Sequence, residues 1–339
     1  MEITNQPLIV EALRGGRVES LHAVDAVIAS ADGSIAAVHG DGDRGVFPRS
    51  AIKALQALPL VESGAADRFG FSPAHLALAC SSHNGEPVHT AGAGEMLAAA
   101  GLSQTCLECG AQLPYHPRDH EALVRSGELA GAIHNNCSGK HSGFLAFAVQ
   151  EGMETAGYVN ATHPVQKEIA GVLETVTGAA HGEDNYGIDG CSIPTYEIPL
   201  ASLAVAYARF GTGSDPGRER SAAMLRLRDA CMAHPVMVAG SERFDTAMMQ
   251  ALPGRVFTKT GAEGVFIIAI PELGLGAALK CRDGATRAAE VACAHLVESM
   301  LEESDSKLSQ AEVKALKELC NPVLKNRNEI VVGSLRTRP

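Results

Sequence analysis

Two side chains that are three positions apart, Ser50 and Lys53, could form a nucleophile and its base. A serine hydroxyl is a weak nucleophile at neutral pH and needs a base within hydrogen-bonding reach. Residues i and i+3 share one face of a helix, so a helix that begins at Ser50 would place Lys53 beside the hydroxyl. A buried lysine can act as that base when its amine is neutral. The alternative is that Ser50 only caps a helix and that Lys53 is solvated.

Two further short motifs follow in the chain, Ser82-His83-Asn84 and Lys259-Thr260-Gly261. The order S-x-x-K, S-x-N and K-T-G is typical of the penicillin-recognising serine hydrolases. Each motif alone is weak, because Ser304-Asp305-Ser306-Lys307 is also S-x-x-K and lies in a charged tail. The ordered set indicates a serine–lysine hydrolase, and a β-lactamase or a penicillin-binding type of enzyme is one interpretation of it.

Composition narrows the class of protein further. The chain has 339 residues, 46% of them hydrophobic, and a formal net charge of −11 without a basic cluster. These values argue against nucleic acid or an anionic membrane as a partner. The first residues lack the basic-then-apolar order of a signal peptide, and nine cysteines are not spaced as a small disulfide scaffold. We therefore expect a reduced, cytoplasmic protein that acts on a small molecule.

Hydrophobic patterns place the motifs on helices and strands. A strand over Val18–Ala29, an Asp32-Gly33 turn and a second strand over Ser34–Val38 predict a hairpin. The same analysis predicts a helix from about Ser50 to Val61, strands over Arg255–Lys259, Gly264–Ile270 and Gly274–Cys281, and a helix over Thr286–Leu301. The tail after Ser304 is expected to be only partly ordered.

These elements predict an α+β fold with one antiparallel sheet built from both termini and a helical lobe beside it. We expect residues 1–339 to be a single catalytic unit with two lobes. Residues 1–48 and 255–302 would form the sheet lobe, and residues 50–250 would be mainly helical.

Five separated stretches carry a resemblance to a known family. They are Phe47-Pro48-Arg49-Ser50-Ala51-Ile52-Lys53, Ser81-Ser82-His83-Asn84-Gly85-Glu86, Asn135-Asn136-Cys137-Ser138-Gly139-Lys140-His141, Tyr186-Gly187-Ile188-Asp189-Gly190-Cys191 and Thr258-Lys259-Thr260-Gly261-Ala262-Glu263-Gly264. In this order they resemble the L-asparaginase II family of the Rhizobium etli type. The resemblance implies a serine β-lactamase-like, glutaminase-like fold and a homodimer that hydrolyses L-asparagine to L-aspartate and ammonia.

The resemblance also implies roles for particular residues. It implies two serine–lysine pairs, Ser50 with Lys53 and Ser82 with Lys259. It further implies a zinc ion held by Cys137, Lys140 and Cys191.

Ligand chemistry alone leaves the metal site open. Thiolates suit zinc, but a lysine must lose its proton before it can donate. From the residue types, His141 would be the third ligand, whereas the resemblance favours Lys140. Cys137 and Cys191 could instead be buried small hydrophobic residues. The residues do not decide whether a zinc ion would act on the substrate or only fix the loops.

A free amino acid needs opposite charges to bind its two ends. Arg49 and the strand at Thr260-Gly261 are candidates for the α-carboxylate, and Glu86 or Asp189 for the α-ammonium. His83 and Asn84 either contact the substrate or only stabilise their loop.

Two other functions compete with asparagine hydrolysis. A serine-dependent glutaminase is a close rival, because one methylene separates the substrates and is worth only about 1–3 kcal/mol of discrimination. A zinc-stabilised interaction module is the non-enzymatic alternative.

Overall fold

The computed structural model describes residues 2–182, 184–304 and 307–338. The chain forms two compact units, each made of more than one stretch of sequence. The sheet unit contains the residues up to Ala51, Ile198–Thr212 and the residues from Ala247 onward. The helical unit contains Ile52–Glu197 and Gly213–Thr246.

The β-strands are concentrated towards the two ends of the chain. They are β1 (Ile3–Thr4), β2 (Leu8–Arg14), β3 (Arg17–Ser30), β4 (Ile35–His39), β5 (Gly45–Val46), β6 (Tyr186–Ile188), β7 (Pro194–Tyr196), β8 (Ile198–Pro199), β9 (Phe257–Gly261), β10 (Val265–Ile270), β11 (Leu275–Cys281), β12 (Val323–Lys325) and β13 (Val331–Thr337).

The α-helices fill most of the middle of the chain. They are α1 (Lys53–Gln56), α2 (Leu58–Glu62), α3 (Ala65–Arg68), α4 (Pro73–Ala79), α5 (Pro87–Ala99), α6 (Pro117–Ser126), α7 (Ser138–Gln150), α8 (Pro164–Thr177), α9 (Leu200–Thr212), α10 (Arg218–Ala233), α11 (Pro235–Val238), α12 (Phe244–Ala251), α13 (Thr286–Glu302) and α14 (Gln310–Cys320). Short 3-10 helices cover Arg49–Ile52, Gln104–Cys106, Ala132–His134 and Pro271–Leu273.

The main sheet of the sheet unit has the order β12-β13-β2-β3-β11-β10-β9, and each of these neighbours is antiparallel. β4 also pairs with β3, and β1 pairs with β4 in parallel. The N-terminal strands therefore lie in the same sheet as strands from the C-terminal quarter of the chain. This arrangement confirms the predicted α+β fold with an antiparallel sheet built from both termini.

Strand β10 shows why the middle of this sheet is stable. Its sequence Val265-Phe266-Ile267-Ile268-Ala269-Ile270 is uninterrupted and hydrophobic, and all six residues are buried. A strand that is buried at every position must be covered on both faces. Helices α9 and α13 both pack against β10 and β11. Each fully buried Val, Ile or Phe side chain contributes about 1.5–3 kcal/mol.

Helix α7 is the central helix of the helical unit. Its residues from Ser138 to Ala148 are all buried, including Lys140 and His141. Gly139 makes this possible, because a Cβ there would lie 2.4 Å from the carbonyl oxygen of Leu78 in α4. The backbones of α4 and α7 therefore approach closely. The Ser81-Ser82 loop directly follows α4, so the loop and the N-terminus of α7 are held together.

Several sequence predictions are confirmed. The hairpin of β3 and β4 turns at Asp32-Gly33. The three strands near Lys259 are β9, β10 and β11, and the helix after them is α13. Alternating or continuous hydrophobic runs between turn residues identified these elements correctly.

The predicted helix from Ser50 to Val61 is wrong as a single helix. The chain forms a 3-10 helix over Arg49–Ile52, then α1, and then α2, which restarts at Leu58. Proline lacks an amide proton and clashes with the carbonyl four residues before it, so Pro59 cannot continue α1. It is tolerated in the first turn of α2 instead.

The expectation of a partly ordered tail is also wrong for the described residues after Ser304. Helix α14 starts with a capping box, in which Ser309 and Glu312 bond each other's backbone amides. Strand β13 pairs with β2, and Arg336 and Arg338 both bond Glu11. Asp305 and Ser306, the middle of the second S-x-x-K motif, lie outside the described residues.

None of the helices within residues 2–182, 184–304 and 307–338 is long and apolar enough to cross a membrane.

Candidate active site

The candidate nucleophile Ser50 lies in a tight turn of the sheet unit. Ala51 donates its amide proton to the carbonyl of Pro48 over 3.0 Å, and Arg49 between them has a positive φ of 52°. Non-glycine residues rarely adopt this conformation, and such strain often occurs at functional sites. The Tyr207 hydroxyl of α9 bonds the Ala51 carbonyl over 2.5 Å. Ser50 is partly exposed to solvent.

The Lys259-Thr260-Gly261 motif contacts this turn. It ends strand β9, and a Cβ on Gly261 would lie 2.3 Å from the Pro48 carbonyl oxygen and 3.1 Å from the Ala51 nitrogen. Only glycine permits this close approach. Lys259 is fully buried, and its Nζ donates to the Thr260 carbonyl over 2.9 Å. The sheet unit therefore brings the K-T-G motif next to the backbone that carries Ser50.

The candidate base Lys53 lies in the helical unit, 1% exposed, at the start of α1. Its Nζ donates three hydrogen bonds: to the Ser81 carbonyl at 2.6 Å, to Ser82 Oγ at 2.7 Å and to Cys137 Sγ at 3.0 Å. The structure thus joins Lys53 to the serine of the second motif. Ser82 and Lys259 are carried by different units, and their pairing stays a prediction.

His83 and Asn84 are buried and hydrogen-bonded inside the protein. His83 Nε2 bonds Ser138 Oγ at 3.0 Å, and its Nδ1 accepts from the Gly85 amide at 3.0 Å. Asn84 donates to Glu86 Oε1 at 2.9 Å. Both ring nitrogens of His83 therefore have protein partners, which supports the interpretation that this side chain stabilises its loop.

A loop that sequence reasoning missed, Gly240–Arg243, holds Asn84 and Glu86 in place. The Ser241 amide and hydroxyl donate to the two oxygens of Glu86 over 2.7 and 2.9 Å. Arg243 donates to Asn84 Oδ1 over 3.1 Å. Burial alone would raise the pKa of Glu86, but the bonds from Asn84 and Ser241 lower it below its ordinary value. No local motif in the sequence distinguishes this loop.

The predicted metal ligands form a chain of contacts in the helical unit. Cys137 precedes α7, Lys140 lies in its first turn, and Cys191 follows the β6 strand. Lys140 Nζ is 3.0 Å from Cys191 Sγ. A hydrogen bond from the Cys191 thiol, helped by the charges of Lys53 and Lys140, holds the pKa of Cys137 well below its ordinary value despite burial. The same bond raises the pKa of Cys191.

This donor set fits a soft or borderline metal ion. Both sulfurs are buried, the lowered pKa of Cys137 favours its thiolate, and sulfur ligands suit zinc. Lys140 is the lysine beside Cys191, whereas His141 uses Nδ1 to bond the Tyr158 hydroxyl over 2.7 Å. Although burial lowers it, the pKa of Lys140 is raised by its neighbours Cys191, Cys137 and Asp189. An ion at this site would therefore have to displace the proton of Lys140.

Asp189 lies close to this sulfur cluster. Its Oδ1 accepts from the Gly190 amide over 2.7 Å, and its Oδ2 is 3.8 Å from Cys191 Sγ. Its side chain is only half-buried, unlike that of Glu86. Of the two acidic candidates, Asp189 is the more accessible to a small molecule.

A comparison with known protein families identifies the family of this chain. The model of the family described as L-asparaginase II matches residues 10–337. The chain therefore belongs to the L-asparaginase II family, and this membership supports an amidohydrolase. Among curated proteins, no match to this chain is found.

Solved structures give weaker likenesses. The native form of a protein named Mglu aligns with a TM-score of 0.39 and 14% identity over 85% of this chain and 66% of that chain. A second Mglu structure aligns with a TM-score of 0.38 and 16% identity, over 84% of this chain and 69% of that chain. A β-lactamase from Mycobacterium bovis aligns with a TM-score of 0.34 and 15% identity, over 83% of this chain and 94% of that chain. The chain thus spans slightly less than two thirds of the first Mglu chain. At these TM-scores the likenesses decide neither fold nor function.

Proposed function

We propose that the protein hydrolyses L-asparagine to L-aspartate and ammonia by serine–lysine catalysis. Membership of the L-asparaginase II family supports this proposal. The observation that carries the mechanism is the buried 2.7 Å hydrogen bond between Lys53 Nζ and Ser82 Oγ. This bond is the route by which an amine can exchange a proton with a serine hydroxyl.

The surroundings of Lys53 support its role as a proton carrier. A lysine ammonium has three N–H groups, and Lys53 has three acceptors: the Ser81 carbonyl, Ser82 Oγ and Cys137 Sγ. A neutral amine keeps two donors and gains one lone pair. That lone pair can accept a proton from a hydroxyl, so both states of Lys53 have partners in this cluster.

In the proposed reaction, Ser50 Oγ attacks the side-chain amide carbon of asparagine while Lys53 takes its proton. The C–N bond then breaks, and the nitrogen leaves as ammonia after it receives a proton through Ser82, with Lys259 as the partner of Ser82. This gives an ester on Ser50, which a water molecule hydrolyses to aspartate. The proton that Lys53 takes up can reach the leaving nitrogen because Lys53 already bonds Ser82.

The substrate's charged ends are assigned by accessibility. We assign the α-carboxylate to Arg49 and the backbone at Thr260-Gly261, which adjoin Ser50 in the sheet unit. We assign the α-ammonium to Asp189, because both oxygens of Glu86 already accept bonds from Asn84 and Ser241. Glu86, Asn84 and His83 then act by positioning the loop that carries Ser82.

We also propose that Cys137, Lys140 and Cys191 hold a zinc ion. A bound zinc ion would supply Lewis-acid polarisation or would fix the loops that carry the two cysteines. Cys137 Sγ accepts from Lys53, so this cysteine orients the candidate base whether or not a metal is bound. On the strength of the family resemblance, we further propose a cytoplasmic homodimer that serves amino-acid catabolism.

Ammonia release from asparagine and from glutamine tests the proposal. Ser50→Ala, Lys53→Met, Ser82→Ala and Lys259→Met should each lower kcat by at least about 1,000-fold, because a nucleophile and its base act as a unit. Ser304→Ala and Lys307→Met, in the second S-x-x-K motif, are matched controls and should keep wild-type activity. A fully active Ser50→Ala would remove Ser50 as the nucleophile.

The same assay separates the competing functions. If the enzyme prefers glutamine to asparagine, its activity is that of a glutaminase. Covalent labelling of Ser50 by a penicillin would favour a β-lactamase type of enzyme. No ammonia from either amide, with Ser50→Ala indistinguishable from wild type, would favour an interaction module. Mass spectrometry of quenched reactions should show the aspartyl ester on Ser50.

A further inference from the structure

A second cluster of metal-binding side chains lies in the sheet unit, among the residues His22, Cys281 and Asp283. His22 is on β3, and Cys281 is the last residue of β11. Cys281 is paired with Val24 across these antiparallel strands. Residues two apart on a strand share a face, so His22 lies on the same face as Val24 and Cys281. Asp283 follows two residues after Cys281, before α13 begins.

The three side chains converge closely. His22 Nδ1 is 2.6 Å from Asp283 Oδ2, and Cys281 Sγ is 2.9 Å from Asp283 Oδ1. One ligand atom from each residue lies within 4.8 Å of the other two. His22 and Cys281 are buried, whereas the Asp283 side chain is 49% exposed. An ion could therefore reach the cluster from the side of Asp283.

We propose that His22, Cys281 and Asp283 bind a divalent metal ion of the zinc class. An imidazole nitrogen, a thiolate and a carboxylate are three of the ligand types that zinc takes, and the thiolate disfavours magnesium and calcium. With metal–ligand distances of about 2.0–2.3 Å, tetrahedral ligands lie about 3.5 Å apart. The three ligand atoms already lie within 4.8 Å of one another, so shifts on the order of 1 Å bring them to this spacing. The fourth position is left for water.

Binding exchanges protons for the ion. Burial and the Asp283 carboxylate raise the pKa of Cys281 to about 12, so this thiol carries its proton when no metal is bound. The ion takes the place of that proton on sulfur, and the proton is released to solvent. His22 must present Nδ1 without its hydrogen, so its remaining proton moves to Nε2.

Arg287 lies next to this site and should weaken its affinity for a metal ion. Its Nη2 lies 3.1 Å from His22 Nε2. An arginine can only donate, so it requires Nε2 to be an acceptor. When Nδ1 binds a metal, Nε2 carries the proton and Arg287 must turn away. Its positive charge also repels the ion. Removing Arg287 should therefore strengthen metal binding, which a purely structural hydrogen-bond cluster would not do.

The test uses the full chain with the Cys191→Ser substitution, which removes one sulfur from the cluster of the helical unit and keeps Cys137 beside Lys53. Titration of the metal-free protein with Zn²⁺ against a chromophoric chelator should give one ion per chain. With Co²⁺, a sulfur-to-metal charge-transfer band should appear and should disappear in Cys281→Ser. His22→Ala and Cys281→Ser should each weaken Zn²⁺ binding by at least about 10-fold.

Two further variants make the result decisive. Arg287→Met in the same background should tighten Zn²⁺ binding by at least about 3-fold. Cys293→Ser, a buried cysteine of α13, is the matched control and should leave the affinity unchanged. No bound Zn²⁺, or equal affinity in His22→Ala and the background protein, would overturn the site. If Cys281→Ser does not fold, unchanged or weaker binding in Arg287→Met overturns it instead.

Discussion

The amine of Lys53 donates a hydrogen bond to the sulfur of Cys137 over 3.0 Å. The candidate catalytic base and a candidate metal ligand therefore share one buried contact. Lys140 donates to the second sulfur, that of Cys191, over 3.0 Å. Both lysines thus lie near the Cys137 sulfur, whose lowered pKa favours the thiolate.

Replacing Cys137 by alanine should destabilise the protein strongly. The substitution removes the sulfur that accepts from the buried Lys53 and that also lies near Lys140, which should cost about 3–5 kcal/mol of unfolding free energy. Urea unfolding measures this. Cys109→Ala is the control, because burial raises the pKa of Cys109 to about 12 and keeps that thiol neutral. Equal losses in both variants would mean that Cys137 carries no charge.

Gly261→Ala should reduce activity without abolishing folding. A Cβ at this position meets the Pro48 carbonyl oxygen at 2.3 Å, so the turn that carries Ser50 must shift. A displacement of about 1 Å at a reacting group can cost about 100-fold in kcat/KM. Gly171→Ala in α8 is the matched control, since nothing lies within 4 Å of its Cβ position. Wild-type kinetics for Gly261→Ala would show that the turn does not position the nucleophile.

Asp189→Asn and Glu86→Gln should separate substrate binding from loop stability. Loss of a charged partner for the α-ammonium should raise KM for asparagine at least about 10-fold in Asp189→Asn. Glu86→Gln turns an amide donor towards the Ser241 donors, so it should lower unfolding free energy by about 1–3 kcal/mol. Steady-state kinetics and urea unfolding are measured on both variants. If Glu86→Gln raises KM and Asp189→Asn lowers only the unfolding free energy, Glu86 would be the residue that binds the α-ammonium of the substrate.

Asp25 should contribute a stability that is lost in acid. Burial alone raises the pKa of this carboxyl, but the hydrogen bonds from Arg282 and the Asp41 amide, together with Arg44, lower it below its ordinary value. A lowered folded-state pKa means that the stabilisation is complete above the unfolded pKa of about 3.9. It disappears as the pH falls through the folded-state pKa.

Asp25→Asn tests this by urea unfolding between pH 7 and pH 3. The variant should be less stable at pH 7 by about 3 kcal/mol and should lose less stability in acid than wild type. Asp43→Asn, at an exposed position nearby, should follow the wild-type curve. Parallel curves for Asp25→Asn and wild type would exclude Asp25 as a source of the acid sensitivity.

Removing zinc from a zinc-loaded preparation should affect stability more than chemistry. Cys137 and Cys191 come from separate loops, and serine catalysis needs no metal, so we expect a chelator to lower the melting temperature and raise KM while kcat stays within about 10-fold. Cys281→Ser is measured in parallel to separate the two metal sites. Complete loss of kcat would assign the ion a role in the chemical step.

Local patterns predicted the elements but not the contacts between distant ones. The Asp32-Gly33 turn and the apolar run of β10 are properties of short stretches, and both were identified correctly. The break at Pro59 could have been read from the sequence, because proline cannot stay inside a helix. The capping box of Ser309 and Glu312 was also a visible signal.

The sequence predicted which residues belong to the candidate site better than it predicted the hydrogen bonds between them. The motifs named Lys53, Ser82 and Cys137, but no spacing rule states that one amine bonds both other side chains. That contact depends on the close approach of α4 and α7 at Gly139. The supporting residues Ser241 and Arg243 lie in a loop without a motif, and only tertiary structure brings them to Glu86 and Asn84.

The strand order of the main sheet has a consequence for how the protein is made. β2 and β3 leave the ribosome well before their sheet neighbours β13 and β11, which are synthesised about 250 to 320 residues later. Until then, the hairpin of β2 and β3 has no partner strand on either outer edge, although the intervening helical segment has already been synthesised. Such a waiting edge can recruit strands from other chains. Cotranslational folding should therefore begin in the interior of the sequence, and chaperone dependence should fall on its two ends.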